Sequence, residues 1–452
     1  MATSTKSTAL LTDMYELTMI DSAMASGTAD RHCVFELFAR RLPGNRRYGV
    51  VAGVARALEA VENFRFDAAE IDYLSEAGFL RDDTLEWLAN FRFSGDIWGY
   101  PEGECYFPHS PIMTVEGTYA EAGILETVLL SILNYDSAVA TAASRMTVAS
   151  HDRPCLDMGS RRTHEISAVA AARAAVIGGF VGTSNLEAAR TYGIKPIGTA
   201  AHSFTLVHDS EEEAFKAQIA SMGAGTTLLV DTFDIHDGVE KAVRSAREAG
   251  GELGAVRLDS GDLVAQAFNV RKQLDDMGAT QTKITVTNDL DEYAIAALNA
   301  APVDSYGVGT KLVTGSGHPT AEMVYKLVAR EDSSGTMREV AKKSAEKASI
   351  GGLKVAGRTH DETGRATEEI VVSAKTREDG LAYLESIDAR PLEVPLVVNG
   401  EVNHDYTTPS ALAHAAERHR NSRAALPYAA WRLSDGEPGL PTRMLDIFEG
   451  DD

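Results

Sequence analysis

The chain has 452 residues, 44% hydrophobic and 24% charged, a balance that supports a large folded core and about two domains. Its formal net charge of −23 weighs against a nucleic-acid partner, because a phosphate backbone is repelled on average; clustered arginines can still hold a small anion. No apolar run reaches spanning length, "MATSTKSTAL" lacks a leader core, and Cys33, Cys105 and Cys155 are few, odd in number and scattered. A cytoplasmic protein without membrane spans, disulfides or a Cys-rich zinc site is therefore expected.

Residues 1–150 read as a strand (32–41), several amphipathic helices, a strand pair near 96–118 and a helix at 121–135. From about 150 a rhythm sets in: a short apolar run ends in polar or glycine residues, and a helical segment follows. The strand-like pieces are "PCLDMG" (154–159), "GGFVGTSN" (178–185), "KPIGTAAHSF" (195–204), "TTLLVDTFD" (226–234), "GAVRLDSGD" (254–262), "KITVTNDLD" (283–291) and "VDSYGVGTK" (303–311). Gly193, Gly223, Gly250 and Gly278 close the intervening helices, as C-capping requires. Seven such units, with an eighth strand expected in "AEMVYKLVAR" (321–330), predict an α/β fold with an irregular (β/α) barrel; an open doubly wound sheet is the alternative. "REDSSGTMREV" reads as a linker or loop. "GGLKVAGR", "EEIVVSA" and "LEVPLVVNG" read as strands, and the acidic tail "DIFEGDD" as a frayed end. The expected division is an N-terminal α+β part (1–140), the barrel (141–332) and a C-terminal part (333–452), the two flanks packing as one α+β domain.

In a parallel α/β barrel the chemistry sits at the carboxyl ends of the strands. Those ends carry Asp157, Arg161, Thr183, Ser184, Thr199, His202, Asp231, Asp234, Arg257, Asp259, Ser260, Asp262, Asn288, Asp289, Gly307, Gly309, Thr310 and Lys311. "YGVGTKL" (306–312) can cradle an anion with backbone N–H groups, or can be a tight turn. In "RLDSGD" (257–262), Arg257 offers a fork for a carboxylate or phosphate, and Asp259 and Asp262 can hold hydroxyls or a Mg²⁺-bound diphosphate. The other reading is a salt-bridged helix cap through Ser260 or Asp259. "DMGSRR" and "FARRLPGNRRY" cluster arginines that suit a polyanion or a surface ion-pair network. His202, alone in "IGTAAHSF", is either a rim histidine or a reacting group. No Walker loop, HExxH, GxSxG or dinucleotide fingerprint is present.

Taken together, "LLTDMYELTM", "FELFARRLPGNRRYGVVAGV", "DMGSRRTH", "GTSN", "GTAAHSF", "VDTFD", "RLDSGD" and "YGVGTKL" resemble the nicotinate phosphoribosyltransferase family in order and spacing. The likeness runs from about residue 8 to 330, with "PLVVNGEV" (395–402) similar to the family's C-terminal part. The resemblance implies an irregular barrel paired with an open α/β domain in a homodimer with shared active sites. It also implies phosphoribosyl transfer from phosphoribosyl pyrophosphate to nicotinate, with Mg²⁺ and with ATP as co-substrate. On the same basis, His202 matches a transiently phosphorylated histidine, and Tyr15 a ring-stacking tyrosine reaching in from the partner subunit. Thr199 and Arg257 match nicotinate contacts, and Thr310, Gly307 and Gly309 the 5′-phosphate site; Asp259 suits the ribose, and Arg161 and Arg40 the diphosphate. Thr183, Asp231, Ser260 and Asn288 complete the expected substrate-binding set, and no metal ligand is assigned.

One departure is Met158, where nicotinamide-using relatives carry a ring-sandwiching Phe; a thioether can also pack on a ring. In those relatives an Asp follows the "GT" of "GTSN". Ser184 stands there instead and favours the acid substrate over the amide. The competing readings are nicotinamide phosphoribosyltransferase, the shorter quinolinate enzymes, a sugar-phosphate aldolase that would need Lys311 as its Schiff-base lysine, and a non-catalytic binding protein.

Overall fold

A computed structural model describes residues 6–151, 153–341 and 350–447. The chain divides into two compact units, one formed by Met1–Thr141 with His318–Asp452 and the other by Ala142–Gly317.

The first unit is built on a seven-stranded antiparallel sheet. Its order is Met337–Glu339, Met323–Glu331, His32–Ala39, Met113–Thr118, Asp96–Gly99, Val394–Val398 and Glu401–Val402. His32–Ala39 is buried along nearly its whole length, so its apolar side chains serve both faces. Phe35 stacks on Tyr325 of the neighbouring strand at 5.0 Å between ring centroids. Helices at Met14–Ser26, Val54–Glu62 and Glu126–Ala149 supply Leu17, Ile20, Leu58, Leu129 and Leu133 to the same core. The helical stretch 119–149 has the length and apolarity of a membrane span, but 67% of its most apolar window is buried, as in a core helix.

A second sheet of this unit runs Arg390–Pro391, Leu353–His360, Ala366–Ala374 and Thr442–Asp446. Beneath it lies a buried ionic network. The Arg358 guanidinium donates to Glu104 at 2.8 Å, to Glu369 at 2.6 Å and to the Cys105 carbonyl at 2.7 Å. Glu369 also accepts from Tyr100 Oη at 2.8 Å and from Ser110. All these side chains are essentially sealed from water, so each charge depends on its partners rather than on solvent.

The second unit carries a five-stranded parallel sheet in the order Cys155–Asp157, Ser305–Val308, Lys283–Val286, Ala255–Leu258 and Thr227–Leu229. Single parallel bridges extend it on the Cys155–Asp157 side, from Asp157 to Thr183 and from Thr183 to Pro196. The seven expected strand positions thus lie side by side, the first beside the seventh. The pieces at 178–185 and 195–204 shrink to one bridging residue each. Gly178, Gly179, Gly182 and Gly198 supply no side chains there to pack on a ladder, and Pro196 has no N–H to donate to one. Helices alternate with the strands, and Gly193, Gly223, Gly250 and Gly278 at their ends all take left-handed φ.

One expectation is corrected. The run 321–330 is not a strand of the parallel sheet: Met323–Glu331 pairs antiparallel with His32–Ala39 in the first unit. Apolarity marks that segment as a strand but carries no information about its partner. Of the two readings of "REDSSGTMREV", linker or loop, the structure has the loop. Asp332 folds it into a turn by accepting from the Ser334 and Thr336 N–H groups, and Met337–Glu339 returns alongside Met323–Glu331. The part of the tail at 448–452 lies outside the described residues. Cys33, Cys105 and Cys155 are buried free thiols, and burial holds all three thiol pKa values above their usual range.

Candidate active site

The carboxyl ends of the parallel strands in the second unit surround a cavity of about 370 Å³. Its lining includes Met158, Arg161, Ser184, Arg257, Asp259, Asn288, Gly307, Gly309 and Thr310 from the expected set. Register and backbone bonds fix this arrangement. The Met158 N–H donates to the Val308 carbonyl at 2.8 Å, and the Ser184 N–H to the Asp157 carbonyl at 2.8 Å, so three adjacent strand ends are tied together. Gly307 leaves the space that Met158 fills: a Cβ there would stand 2.5 Å from Thr287 Cγ2 and 2.6 Å from Met158 Sδ.

His202 opens the short helix His202–Leu206 and is partly exposed. Its Nδ1 lies 3.1 Å from Thr232 Oγ1. Its Nε2 faces two carboxylates, Asp231 Oδ1 and Asp259 Oδ2, each at 3.9 Å. Asp231 is a buried crosslink: its Oδ2 accepts from the Asp259 N–H and from Ser260 Oγ, both at 2.8 Å. Its Oδ1 is buried and has no hydrogen bond among the described residues. Asp259 in turn accepts from Thr287 Oγ1. The helix after this loop is capped by Asp262, which accepts from the Ala265 N–H at 3.1 Å. Asp259 and Ser260 are therefore not the cap, and Asp259 remains at the cavity wall. Asp234 likewise caps the helix Ile235–Glu248.

Arg257 projects from the strand Ala255–Leu258. Its Nη1 donates to Thr199 Oγ1 at 3.4 Å, and its buried Nε has no hydrogen bond among the described residues. Burial lowers its pKa, with Asp259 and Asp231 opposing and Arg161 assisting. A desolvated, underused guanidinium at a cavity wall is a ready receptor for a planar anion. On the opposite flank, Asp157 is committed elsewhere: it accepts from Thr183 Oγ1 at 2.6 Å and from the Gly159 N–H at 2.8 Å. Burial raises the Asp157 pKa, and those two bonds oppose the rise. The cavity wall there presents the hydroxyls of Ser160 and Ser184 instead. Thr199 and Asp231 thus hydrogen-bond the lining residues Arg257 and Asp259, whereas Thr183 and Ser260 bond Asp157 and Asp231, which do not line the cavity. Tyr15 and Arg40 belong to the first unit.

Sequence reasoning missed Thr232 and Thr287, which hold His202 and Asp259, and the lining residues Ser160, Arg162 and Ala201. Asn288 and Asp289 take left-handed φ of 107° and 34° at the cavity rim, an unusual backbone for a non-glycine pair.

Convergent arginines, a histidine–carboxylate group and glycines at the strand ends of a parallel sheet define an α/β enzyme that handles an anionic small molecule. Comparison with known proteins narrows the class. Residues 10–134 match the nicotinate phosphoribosyltransferase N-terminal domain, and residues 154–369 match the nicotinate phosphoribosyltransferase family. The chain belongs to the nicotinate phosphoribosyltransferase family. It is 50% identical to a nicotinate phosphoribosyltransferase of Mycobacterium tuberculosis, over 96% of this chain and 95% of that one. It is 39% identical to the Bacillus subtilis enzyme of that name, over 80% and 75%. Among solved structures, a nicotinate-nucleotide pyrophosphorylase from Pyrococcus furiosus superposes with a TM-score of 0.74 at 25% identity, covering 92% of this chain and 96% of that one. Human nicotinic acid phosphoribosyltransferase shares the fold, with a TM-score of 0.78 at 22% identity over 96% and 97%.

Proposed function

We infer that this chain transfers the phosphoribosyl group of phosphoribosyl pyrophosphate to nicotinate, releasing pyrophosphate and nicotinate mononucleotide in NAD salvage, and couples the step to ATP hydrolysis. The observation that carries the reading is the pairing of a free-handed Arg257 with a hydroxyl-lined wall at Ser184. A carboxylate ligand gains a charge-assisted bond from the one and meets no repelling acid at the other, since Asp157 is fully engaged. Nicotinamide would leave the guanidinium uncompensated, which disfavours the amide. The aldolase reading lacks support because Lys311 is not among the cavity-lining side chains.

In this reading Asp259 fixes the ribose hydroxyls and stabilises the positive charge that develops at the anomeric carbon as pyrophosphate departs. Gly307, Gly309 and Thr310 receive the 5′-phosphate, and Arg161 the diphosphate. Asp231 Oδ1, which has no hydrogen bond among the described residues, and Asp259 are hard oxygen donors that would fit Mg²⁺, and the ion when bound would neutralise diphosphate charge. The seven side-by-side strand positions support an irregular barrel. Met14, Tyr15 and Met19 are exposed along one helix, with Leu11 exposed just before it, which supports a homodimer in which Tyr15 stacks on the pyridine ring of the partner subunit's site. Buried free thiols accord with the cytoplasm.

The two carboxylates facing His202 Nε2 favour a proton on that nitrogen, leaving the Nδ1 lone pair as nucleophile. Nδ1 attacks the γ-phosphorus of ATP, a P–N bond forms, and ADP leaves with the electrons of the broken P–O bond. Incubation with γ-labelled ATP should therefore mark the protein in an acid-labile, base-stable form that is absent from H202A. Equal labelling of H202A would contradict the phosphohistidine role.

A further inference from the structure

Thr287 directly follows the strand Lys283–Val286 and is buried. Its N–H donates to the Leu258 carbonyl at 2.9 Å, which pins it beside the strand end that carries Asp259. Its two branches then serve different neighbours. The hydroxyl donates to Asp259 Oδ1. The Leu258 carbonyl, 3.5 Å from the same hydroxyl, is the weaker acceptor because it is uncharged and more distant. The methyl lies over Gly307 beside the Met158 thioether, since a Cβ added at Gly307 would meet both. A β-branched residue suits a strand end packed in this way. Packing alone does not select threonine, however. Valine has the same shape and would take no hydroxyl out of water.

Asp259 shows what the hydroxyl secures. Among the described residues the Thr287 bond is the one hydrogen bond to the Asp259 side chain, because Asp231 holds the Asp259 backbone N–H instead. Oδ1 is therefore committed. Oδ2 faces His202 Nε2 at 3.9 Å, and the group stays one-third exposed at the cavity wall. The torsion that turns a carboxylate about its last bond is broad, so without a fixed donor the two oxygens would exchange places. We propose that Thr287 is a positioning residue: by binding Oδ1 it fixes the rotation of the carboxylate and reserves Oδ2 for the ribose of the substrate. The proposal rests on the assignment of Asp259 to the ribose given above. It explains why a hydroxyl is buried at a place where a methyl would pack as well.

The test is steady-state kinetics of full-length T287V, T287S, T287A, D259A and D259A/T287V, with a thermal melt of each. The two possible roles order the variants oppositely. A residue that only packs prefers valine to serine, because valine keeps the methyl. A residue that positions Asp259 prefers serine, because serine keeps the donor. T287V should lose about tenfold to a hundredfold in kcat/KM for phosphoribosyl pyrophosphate, the range set by one hydrogen bond to a charged group. Its KM for nicotinate should stay within about threefold. T287S should keep kcat/KM within about threefold of wild type even though, lacking the methyl, it melts below T287V. In the D259A background T287V should add nothing. A wild-type kcat/KM in T287V beside an impaired D259A would overturn the proposal alone. So would a T287S as impaired as T287V, or a T287V effect of the same size with and without Asp259. A wild-type kcat/KM in D259A would overturn the reading of Asp259 and the proposal with it. Should T287V melt below the assay temperature, T287S and T287A decide, because they differ by the hydroxyl alone. An active T287S beside an impaired T287A supports the proposal, and equal impairment overturns it.

Discussion

Replacing Arg257 by alanine is expected to raise the KM for nicotinate by about two orders of magnitude, from the loss of about 2–4 kcal/mol of charge-assisted binding in a half-desolvated site. The basis is geometric: among the described residues the guanidinium's one hydrogen bond is the 3.4 Å contact to Thr199, and its buried Nε has none. The substrate carboxylate is the natural acceptor for that capacity. R257K should recover only part of the affinity, because an ammonium cannot form the bidentate fork. The KM for phosphoribosyl pyrophosphate should change far less. Titration of R257A with nicotinate by calorimetry checks this, and an affinity within twofold of wild type would place the carboxylate elsewhere.

The second large effect is on stability. R358M should destabilise the first unit by about 3–5 kcal/mol, because it strips a shared cation from two buried carboxylates. For a domain of this size that corresponds to roughly 10 °C in Tm. Among the described residues Glu369 would keep Tyr100 and Ser110, and Glu104 would keep Arg390 and Ser422. Adding E369Q to R358M should recover part of the loss by removing one uncompensated charge. A melt of R358M within a degree or two of wild type would mean that water reaches the network. The catalytic cavity lies in the other unit, so below the melting transition the nicotinate KM should be nearly unchanged.

Local signals carried much of the architecture. The glycines at 193, 223, 250 and 278 end helices because an L-side chain resists left-handed φ, and each is visible in the sequence beside a helical pattern. The cavity residues were legible for a related reason: a polar or glycine residue directly after a short apolar run marks a strand's carboxyl end. Two kinds of feature were not legible. The strand Met323–Glu331 looks like a continuation of the βα series, because its apolar side chains say that it is buried but not beside what. Thr287 and Thr232 look like ordinary strand-end threonines. Their bonds to Asp259 and His202 cross between strands or loops 28 and 30 residues apart and exist only once the register is set. The Asp259 role was open for the same reason: Ser260 or Asp259 was the expected cap of the next helix, and the turn at Gly261, whose φ is 76°, hands that place to Asp262.

The central claim is the reaction itself. Purified protein supplied with phosphoribosyl pyrophosphate and Mg²⁺ can be given nicotinate or nicotinamide, with and without ATP, and the mononucleotide products separated by chromatography. The account predicts nicotinate mononucleotide with stoichiometric pyrophosphate from nicotinate, faster turnover with ATP accompanied by ADP release, and little product from nicotinamide. Preferential formation of nicotinamide mononucleotide, or no mononucleotide from nicotinate with or without ATP, would contradict it.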